Sequence, residues 1–247
     1  MDLLPEALDL EKLMALVATD LKIDPVELQL VPIATGKHNA SFWVVAKANR
    51  WVLRVAPPDS TKLLFYERRM MHQEPLLHEL IRSRTTIPVA QIIATDLSRT
   101  HLEQDYLLMT ALPGVPLSDA PSLGTNQRER VFYQVGSYLR QLHDLTAPDC
   151  LGIKAYGYIG LHHPMEPQPT WAAAFRVMWN LLLDDVVARG CYTKGDRQFM
   201  SDLLEQHIAL KDRAQPPRLL HMDVWFQNIL VDSVGNVTGL VDFDRAL

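Results

Sequence analysis

The feature that most constrains this chain is a short polar loop followed by a predicted β-hairpin near its C-terminal end. The loop, residues 221–228, reads HMDVWFQN, an H-x-D-x-x-x-x-N pattern. Apolar residues then predict strands over 229–232 and 237–241, with a turn at 233–236. The second strand runs into an Asp-Phe-Asp sequence at 242–244. Because a hairpin returns the chain to its start, Asp242 is expected beside Asn228.

These side chains have the chemistry that transfer of a phosphoryl group requires. One carboxylate, here Asp223, orients the attacking hydroxyl, and oxygen ligands hold Mg²⁺ on the nucleotide phosphates. Mg²⁺ takes a few protein oxygens and fills its remaining positions with phosphate and water. Asn228 and Asp242 can supply those oxygens. An ordinary aspartate is a weak base, so positioning is expected to be the larger role of Asp223.

The composition is that of an ordinary globular protein. The chain has 247 residues, 48% hydrophobic and 21% charged, enough for one large or two modest cores. A formal charge of −5 argues against a nucleic-acid partner or a polybasic membrane surface. There is no apolar run long enough for a membrane span and no signal-peptide pattern, and the two cysteines lack paired or metal-binding spacing. A cytoplasmic protein is therefore expected.

The order of predicted elements indicates an α+β protein of two lobes. Helical spacing covers residues 5–21, and strand-like segments lie at 28–34, 41–46, 51–56, 88–94 and 106–110. Residues 62–84 read as mostly helical, and Pro75 must start a new segment or kink the helix. Beyond residue 114 the pattern changes to helices, at 127–145, 170–187 and 195–210.

We therefore predict a nucleotide-binding lobe over residues 1–112, built on an antiparallel sheet, and a mainly helical catalytic lobe over 113–247. The hinge is expected near residues 109–114. The cleft between the lobes is the expected ligand site, since small-molecule sites favour such crevices.

In the loop at residues 221–228, hereafter the catalytic loop, and in the Asp-Phe-Asp sequence, the chain resembles the aminoglycoside phosphotransferase and choline kinase family. This family is the small-molecule branch of the protein-kinase-like fold. The resemblance extends from about Leu30 to Leu247. It implies ATP as co-substrate, with GTP as the alternative, and Mg²⁺ as cofactor. The implied acceptor is a small-molecule hydroxyl, of an aminoglycoside-like antibiotic, choline, a sugar or an amino-alcohol. His221 is expected to brace the loop. The alternative is a catalytically silent nucleotide-binding protein or a fragment of such a kinase.

The connection between the first two predicted strands is a candidate phosphate-binding loop. Residues 34–42 read ATGKHNASF, and a strand–turn–strand can lay backbone N–H groups over phosphates. With a single glycine, the segment is also compatible with a bare hairpin. The family has G-x-x-N followed by an aromatic strand here, so the resemblance implies nucleotide contacts by Gly36, Asn39 and Ser41.

A lone cation, Arg54, interrupts the apolar strand that follows. A charge inside such a strand needs a partner, unless it lies at an exposed edge. The kinase template has a phosphate-binding lysine at this position, and an arginine can bind phosphate in a bidentate manner and stays ionised. Its acidic partner is left open between two glutamates that share one helix face if the helix runs through. The family spacing favours Glu74, and Glu67 is the alternative.

The resemblance implies roles for three more residues. In the predicted hinge, the carbonyl group of Thr110 is expected to accept a hydrogen bond from adenine, and the N–H of Leu112 to donate one. Asp244, two residues after the metal-binding aspartate, is expected either to add a second metal contact or to bind Arg245.

The chain ends at Leu247, whereas relatives in the family continue through helices that close the second lobe and form part of the acceptor pocket. The apolar faces of the predicted helices at 127–145 and 170–187 would then lack part of their cover. We therefore expect a second lobe without its last helices. The chain would come from a longer natural protein or bury this surface in an oligomer. The sequence does not select among the acceptors.

Overall fold

The first lobe is an antiparallel sheet flanked by helices. The structure, a computed structural model, describes residues 8–34, 38–58, 63–120, 123–159, 164–211 and 216–247. Helix α1 spans Leu10–Leu21 and α2 spans Glu74–Arg84. The strands are β1 (Leu28–Pro32), β2 (Ala40–Ala46), β3 (Asn49–Val55), β4 (Ile92–Asp96) and β5 (Tyr106–Thr110). They lie in the order β1-β2-β3-β5-β4, and all neighbours are antiparallel, so β3 is central.

Helix α1 packs against this sheet. It begins where the Asp9 side chain accepts a hydrogen bond from the backbone N–H of Lys12 at 3.0 Å. Its buried residues Leu13 and Val17 are four positions apart and therefore lie on one helix face. They share a core with Phe42 of β2. This core supports the sheet from which the site residues of β2 and β3 project.

The second lobe is mainly helical, with α3 (Thr125–Asp144), α4 (Ala147–Leu151), α5 (Trp171–Ala188) and α6 (Lys194–His207). A small sheet joins β6 (Val115–Pro116), β7 (Ile229–Val231) and β8 (Val237–Leu240), in that order. No helix in the described ranges combines the length and apolarity that a membrane crossing requires. The predicted α+β architecture, a sheet lobe followed by a mainly helical lobe, is confirmed.

The predicted hairpin is present as β7 and β8, each one residue shorter than expected. Asp232 fixes the turn, because its Oδ1 accepts the N–H groups of Val234 at 3.0 Å and Asn236 at 2.8 Å. Gly235 has a φ of 82°, a left-handed conformation that favours glycine. The hairpin returns the chain to the catalytic loop as the sequence predicted.

The largest buried cluster contains residues of both lobes. Leu77 and Ile81 of α2 are fully buried, and they pack with Leu142 of α3 and with Phe243. Helix α2 therefore packs against the second lobe as well as the first. This packing fixes the helix whose first residue is Glu74.

The prediction of a helix over residues 62–84 is partly wrong. Among its described residues, 65–69 form turns, a 3₁₀ turn covers Met70–Gln73, and the α-helix begins only at Glu74. Arg69 ends the turns in a left-handed conformation, with a φ of 55°. Pro75 lies in the first helical turn, where a missing N–H is tolerated. The proline therefore starts a helix, one of the two options that the sequence left open.

The strand predicted over residues 88–94 begins later, at Ile92. The carbonyl group of Pro88 accepts the N–H of Leu240 in β8 at 2.9 Å. The start of this segment is thus hydrogen-bonded to the second lobe. The chain joins the sheet of the first lobe only from Ile92 onward.

Candidate active site

Arg54 lies at the centre of a cluster of carboxylates. It is paired with Ser41 across β3 and β2, so both side chains are on the same face of the sheet. Its Nη1 donates to both oxygens of Glu74, at 2.8 and 2.6 Å. Its Nη2 donates to Asp242 Oδ1 at 2.7 Å and to Asp244 Oδ2 at 3.0 Å. With a side chain only 12% exposed, Arg54 is not at an exposed strand edge.

These carboxylates keep Arg54 charged. Burial by itself lowers the pKa of a guanidinium, but Glu74, Asp242 and Asp244 more than offset it, so the pKa of Arg54 is raised. Removing one partner of such a buried pair leaves an uncompensated charge, which is strongly destabilising. The cation is therefore a fixed part of this cluster.

The structure pairs Arg54 with Glu74 and not with Glu67. Glu74 is fully buried at the first residue of α2. The Glu67 carboxylate accepts the N–H of Leu64 at 2.7 Å and lies 4.0 Å from Arg245. The seven-residue spacing that suggested a shared helix face does not apply, because the chain is not helical at Glu67.

The catalytic loop brings Asp223 and Asn228 together. Asn228 Nδ2 donates to the Asp223 carbonyl oxygen at 2.9 Å and to its Oδ2 at 3.1 Å. The N–H of Val241 donates to the Asn228 carbonyl oxygen at 3.1 Å, so the returning strand is bonded to the loop. Asp223 is half-buried, so part of its side chain is accessible to a ligand.

His221 supports the loop from inside the protein. Its side chain is buried, and its ring centroid lies 4.3 Å from that of Phe243. The N–H of Asp223 donates to His221 Nδ1 at 3.3 Å. Burial lowers the pKa of His221 despite the carboxylates of Asp242 and Asp223, so the ring is neutral at neutral pH. These contacts are those of a loop-bracing residue.

Asp242 has an uncommon backbone conformation. Its φ is 70°, in the left-handed region that non-glycine residues seldom adopt, and such strain concentrates at functional sites. Burial acts to raise the pKa of Asp242, but the Arg54 guanidinium outweighs it, so the pKa is lowered. The carboxylate is therefore ionised at neutral pH, as a metal ligand must be.

Asp244 lies deeper than Asp242 and has different partners from those expected. Its Oδ2 accepts from Arg54 and from Asn39 Nδ2, the latter at 3.3 Å. Burial, and then repulsion from Asp242, raise the pKa of Asp244 to about 8. The carboxylate near Arg245 belongs to Glu67 instead. A second metal contact by Asp244 stays a prediction, because a ligating carboxyl group must lose its proton.

The donor set fits a hard divalent cation. Asn228 uses Nδ2 in its bonds to Asp223, and its amide oxygen is the atom that can ligate a cation. The Asp242 side chain is 35% exposed and ionised. One amide oxygen and one carboxylate are a small protein share of an octahedral site, which is usual for Mg²⁺ bound with a nucleotide.

The candidate phosphate-binding loop is described only in part, because Gly36 lies outside the described residues. Asn39 is buried and donates to Asp244, 205 positions further along the chain. Ser41 lies opposite Arg54. Asn39 thus connects this loop to the Asp-Phe-Asp segment, and phosphate contacts by Gly36, Asn39 and Ser41 stay predictions.

The predicted hinge follows β5. The Thr110 N–H donates to the Gln91 carbonyl oxygen, and Thr110 Oγ1 accepts the Gln91 N–H, both at 2.9 Å. The Leu112 side chain packs over Gly239 of β8, where an added Cβ would lie 2.8 Å from Leu112 Cδ1. The adenine contacts assigned to the Thr110 carbonyl and the Leu112 N–H stay predictions.

His78, which was not among the predicted site residues, joins α2 to the Asp-Phe-Asp segment. His78 Nδ1 donates to the Ala90 carbonyl oxygen at 2.8 Å, and Nε2 lies 3.6 Å from Glu74 Oε2. Its ring meets Phe243 edge-on, with centroids 5.8 Å apart. The four-residue spacing from Glu74 was the available signal, since such residues share one helix face.

The fold and the site together define a class. The sheet lobe carries the cation Arg54, which is paired with Glu74 of a helix. The mainly helical lobe carries the H-x-D-x-x-x-x-N loop and Asp242, which the hairpin places next to that loop. This is the architecture of a protein-kinase-like phosphotransferase fold. The sequence model of the phosphotransferase enzyme family matches residues 29–247, and the chain belongs to that family.

Similar proteins agree with this assignment. A probable ketoamine kinase of Vibrio cholerae serotype O1 is 29% identical over 173 residues, 68% of this chain and 52% of that protein. The chain thus spans about half the length of this curated relative. The gentamicin complex of APH(2")-IIa has a TM-score of 0.66 at 15% identity, covering 97% of this chain and 71% of that one. A ternary complex of a thermostable mutant of APH(4)-Ia with ADP and hygromycin B has a TM-score of 0.62 at 15% identity, covering 95% of this chain and 72% of that one.

Proposed function

We propose that the protein transfers the γ-phosphoryl group of ATP, with GTP as the alternative, to a hydroxyl group of a small molecule. One observation carries the proposal: hydrogen bonds join Asp223 to Asn228, Asn228 to the strand that ends at Asp242, and Asp242 to the buried cation Arg54. Each of these residues corresponds to a role that phosphoryl transfer requires, namely acceptor orientation, metal binding and phosphate binding.

Asn228 and Asp242 would hold Mg²⁺, which supplies positive charge for the nucleotide phosphates. Arg54 donates to Glu74 through Nη1 and to both Asp242 and Asp244 through Nη2. With the metal held by Asp242, Nη2 would be the group of Arg54 available to phosphate oxygens, while Nη1 would stay on Glu74. Asp223 orients the acceptor hydroxyl and takes its proton, and Asn228 holds that carboxylate in place.

The acceptor we favour is a hydroxylated ketoamine or a related sugar derivative. The ketoamine kinase relative is 29% identical, whereas the aminoglycoside enzymes with similar folds are about half as similar, at 15%.

The test is a screen for ADP formation from MgATP with matched acceptors, namely a ketoamine, its parent sugar, choline, an amino-alcohol and an aminoglycoside. We expect acceptor-dependent ADP and a phosphorylated product, detected by mass, with the ketoamine as the best acceptor. MgATP binding without transfer to any acceptor would identify a catalytically silent protein. The absence of MgATP binding would overturn the proposal altogether.

A further inference from the structure

Gln73 is a fully buried residue that does not cap its own helix. It occupies the N-cap position of α2, where a side chain often binds a first-turn N–H, yet it makes no such bond. Its Nε2 donates instead to the carbonyl oxygens of Asp244 and Ala246, the latter at 3.0 Å. Gln73 therefore joins the start of α2 to the segment that follows the metal-binding aspartate.

The orientation of this amide follows from its partners. Both acceptors are carbonyl oxygens, so the NH₂ group of Gln73 must face them. The other amide atom, Oε1, has no hydrogen-bond partner among the described residues. A buried acceptor without a partner is unfavourable, but the two donated bonds satisfy carbonyl groups of the 244–246 backbone that an apolar side chain would leave unpaired. The glutamine is therefore suited to hold the start of α2 against that segment.

The side chains of three consecutive residues, 72–74, contact three different parts of the protein. His72 Nε2 lies 3.2 Å from the buried Asp105 of the first lobe, Gln73 reaches the 244–246 segment, and Glu74 binds Arg54. Any shift at Gln73 therefore moves Glu74, its direct neighbour, and with Glu74 the cation in the cleft.

The segment that Gln73 binds is also tied to the catalytic loop. Leu220 and Leu247 exchange two main-chain hydrogen bonds, at 2.9 and 3.1 Å, and Leu220 directly precedes His221. At its other end the segment begins two residues after Asp242. The acceptors of Gln73 thus lie between the metal-binding residue and the point where the catalytic loop starts.

We propose that Gln73 is a positioning residue that couples the Arg54–Glu74 pair to the Asp242 segment and the catalytic loop. This inference rests on the proposed function, because it assigns to Gln73 the alignment of the phosphate-binding cation with the metal ligands. Gln73 acts through Glu74 and the 244–246 backbone, and it does not contact the reacting groups.

The test compares Gln73→Met, which keeps the shape but removes the donor, with Gln141→Met as the matched control. Gln141 also makes two hydrogen bonds, but as the acceptor: its Oε1 accepts from the N–H and Oγ1 of Thr86 at 2.9 and 3.1 Å, beyond the other end of α2. Calorimetry measures the binding of MgATP and of adenosine by each variant, and thermal unfolding measures its stability.

We expect Gln73→Met to weaken MgATP binding by about tenfold, because part of the binding free energy would then be needed to align Arg54 with the metal ligands. Adenosine binding should change by less than about twofold, since the hinge holds the base and the phosphates alone depend on Arg54. Gln141→Met should leave both affinities unchanged. A merely structural role of Gln73 would weaken both ligands alike, and that result would overturn the inference.

The two proposals fail in different ways. Normal MgATP binding by wild type and by Gln73→Met alike would overturn the positioning role alone. The absence of MgATP binding by the wild-type protein would overturn the proposed function and this role with it. If Gln73→Met does not fold, Gln73→Asn keeps the amide on a side chain one methylene shorter. It should give a smaller loss that is likewise selective for MgATP, and an unchanged MgATP affinity would refute the role.

Discussion

At the scale of single residues, Arg54 shows which parts of the site could be predicted. A cation in an apolar strand requires a partner, and the family resemblance favoured Glu74 over the alternative, Glu67. The contact of Asp244 with Arg54 joins residues 190 positions apart, and that with Asn39 joins residues 205 apart. Nothing local in the sequence indicates such pairs. The left-handed backbone of Asp242 was equally hidden, since aspartate only tolerates that conformation.

Asp223 is expected to contribute to turnover and not to nucleotide binding. Asp223→Asn keeps the shape and the bond to Asn228 but removes the charge that orients the hydroxyl. We expect kcat to fall by about 10² or more, the scale of a lost acid–base group, with MgATP affinity nearly unchanged. Asp202→Asn, the same change on the exposed surface of α6, is the control. Near-normal turnover in Asp223→Asn would show that Asp223 does not orient the acceptor hydroxyl.

Asp242 is expected to make nucleotide affinity depend on Mg²⁺. It is the ionised carboxylate that the hairpin directs into the cleft, and Mg²⁺ depends on such oxygen ligands. Asp242→Ala should bind ATP with the same affinity in the presence of Mg²⁺ and of a chelator, whereas wild type should bind more tightly with Mg²⁺. Calorimetry under both conditions measures this difference. If the variant keeps its metal dependence, the metal is held by other residues.

At the scale of elements, the sequence correctly predicted those that are held by hydrogen bonds between residues near one another in the chain. The hairpin of β7 and β8 was predictable because its turn is stabilised within five residues, from Asp232 to Asn236. The segment at 62–84 was not, because its helix starts where Gln73 and Glu74 find partners in distant parts of the chain. The late start of β4 has the same cause, a bond from Leu240 to Pro88 that crosses between the lobes.

The linker between the lobes should tolerate no side chain at Gly114. Its φ is 96°, and an added Cβ would lie 2.5 Å from both the Val231 carbonyl oxygen and Thr238 Oγ1. We expect Gly114→Ala to lower the free energy of unfolding by about 1–3 kcal/mol from backbone strain, before the clash is counted. Gly136→Ala is the control, because a Cβ there, inside α3, meets nothing within 4 Å.

Chemical denaturation measures both glycine variants. Gly136→Ala should gain about 0.5–1 kcal/mol, since alanine is the better helix former. The two substitutions should therefore shift the free energy of unfolding in opposite directions. An unchanged free energy of unfolding in Gly114→Ala would mean that the linker can move away from β7 without cost.

At the scale of the whole molecule, the two lobes are connected at the same place where the site lies. The ion pairs of Arg54, the core contacts of α2 and the bonds of Gln73 all cross the cleft. The sequence predicted two lobes, but it divided the chain at residue 112, and that boundary stays a prediction. Helix α2 belongs to the first lobe by sequence and packs into the core of the second. The expected oligomer also stays a prediction.

The last prediction follows from this connection. MgATP should contact Arg54 in one lobe and Asn228 and Asp242 in the other, so binding should stabilise both lobes together. At 100 times its dissociation constant, a ligand adds about 2.7 kcal/mol to the free energy of unfolding. For a chain of this length that corresponds to a rise in Tm of roughly 5–11 °C.

Hydrogen exchange locates this stabilisation, because it reports the opening free energy of each segment. Amides of β3 and of β7–β8 should both gain protection with MgATP, and adenosine at equal saturation should protect the hinge more than β7–β8. Protection confined to the first lobe would mean that the nucleotide binds without engaging Asn228 and Asp242. The carboxylates around Arg54 would then stabilise the empty cleft, and the metal-dependent function proposed for them would be refuted.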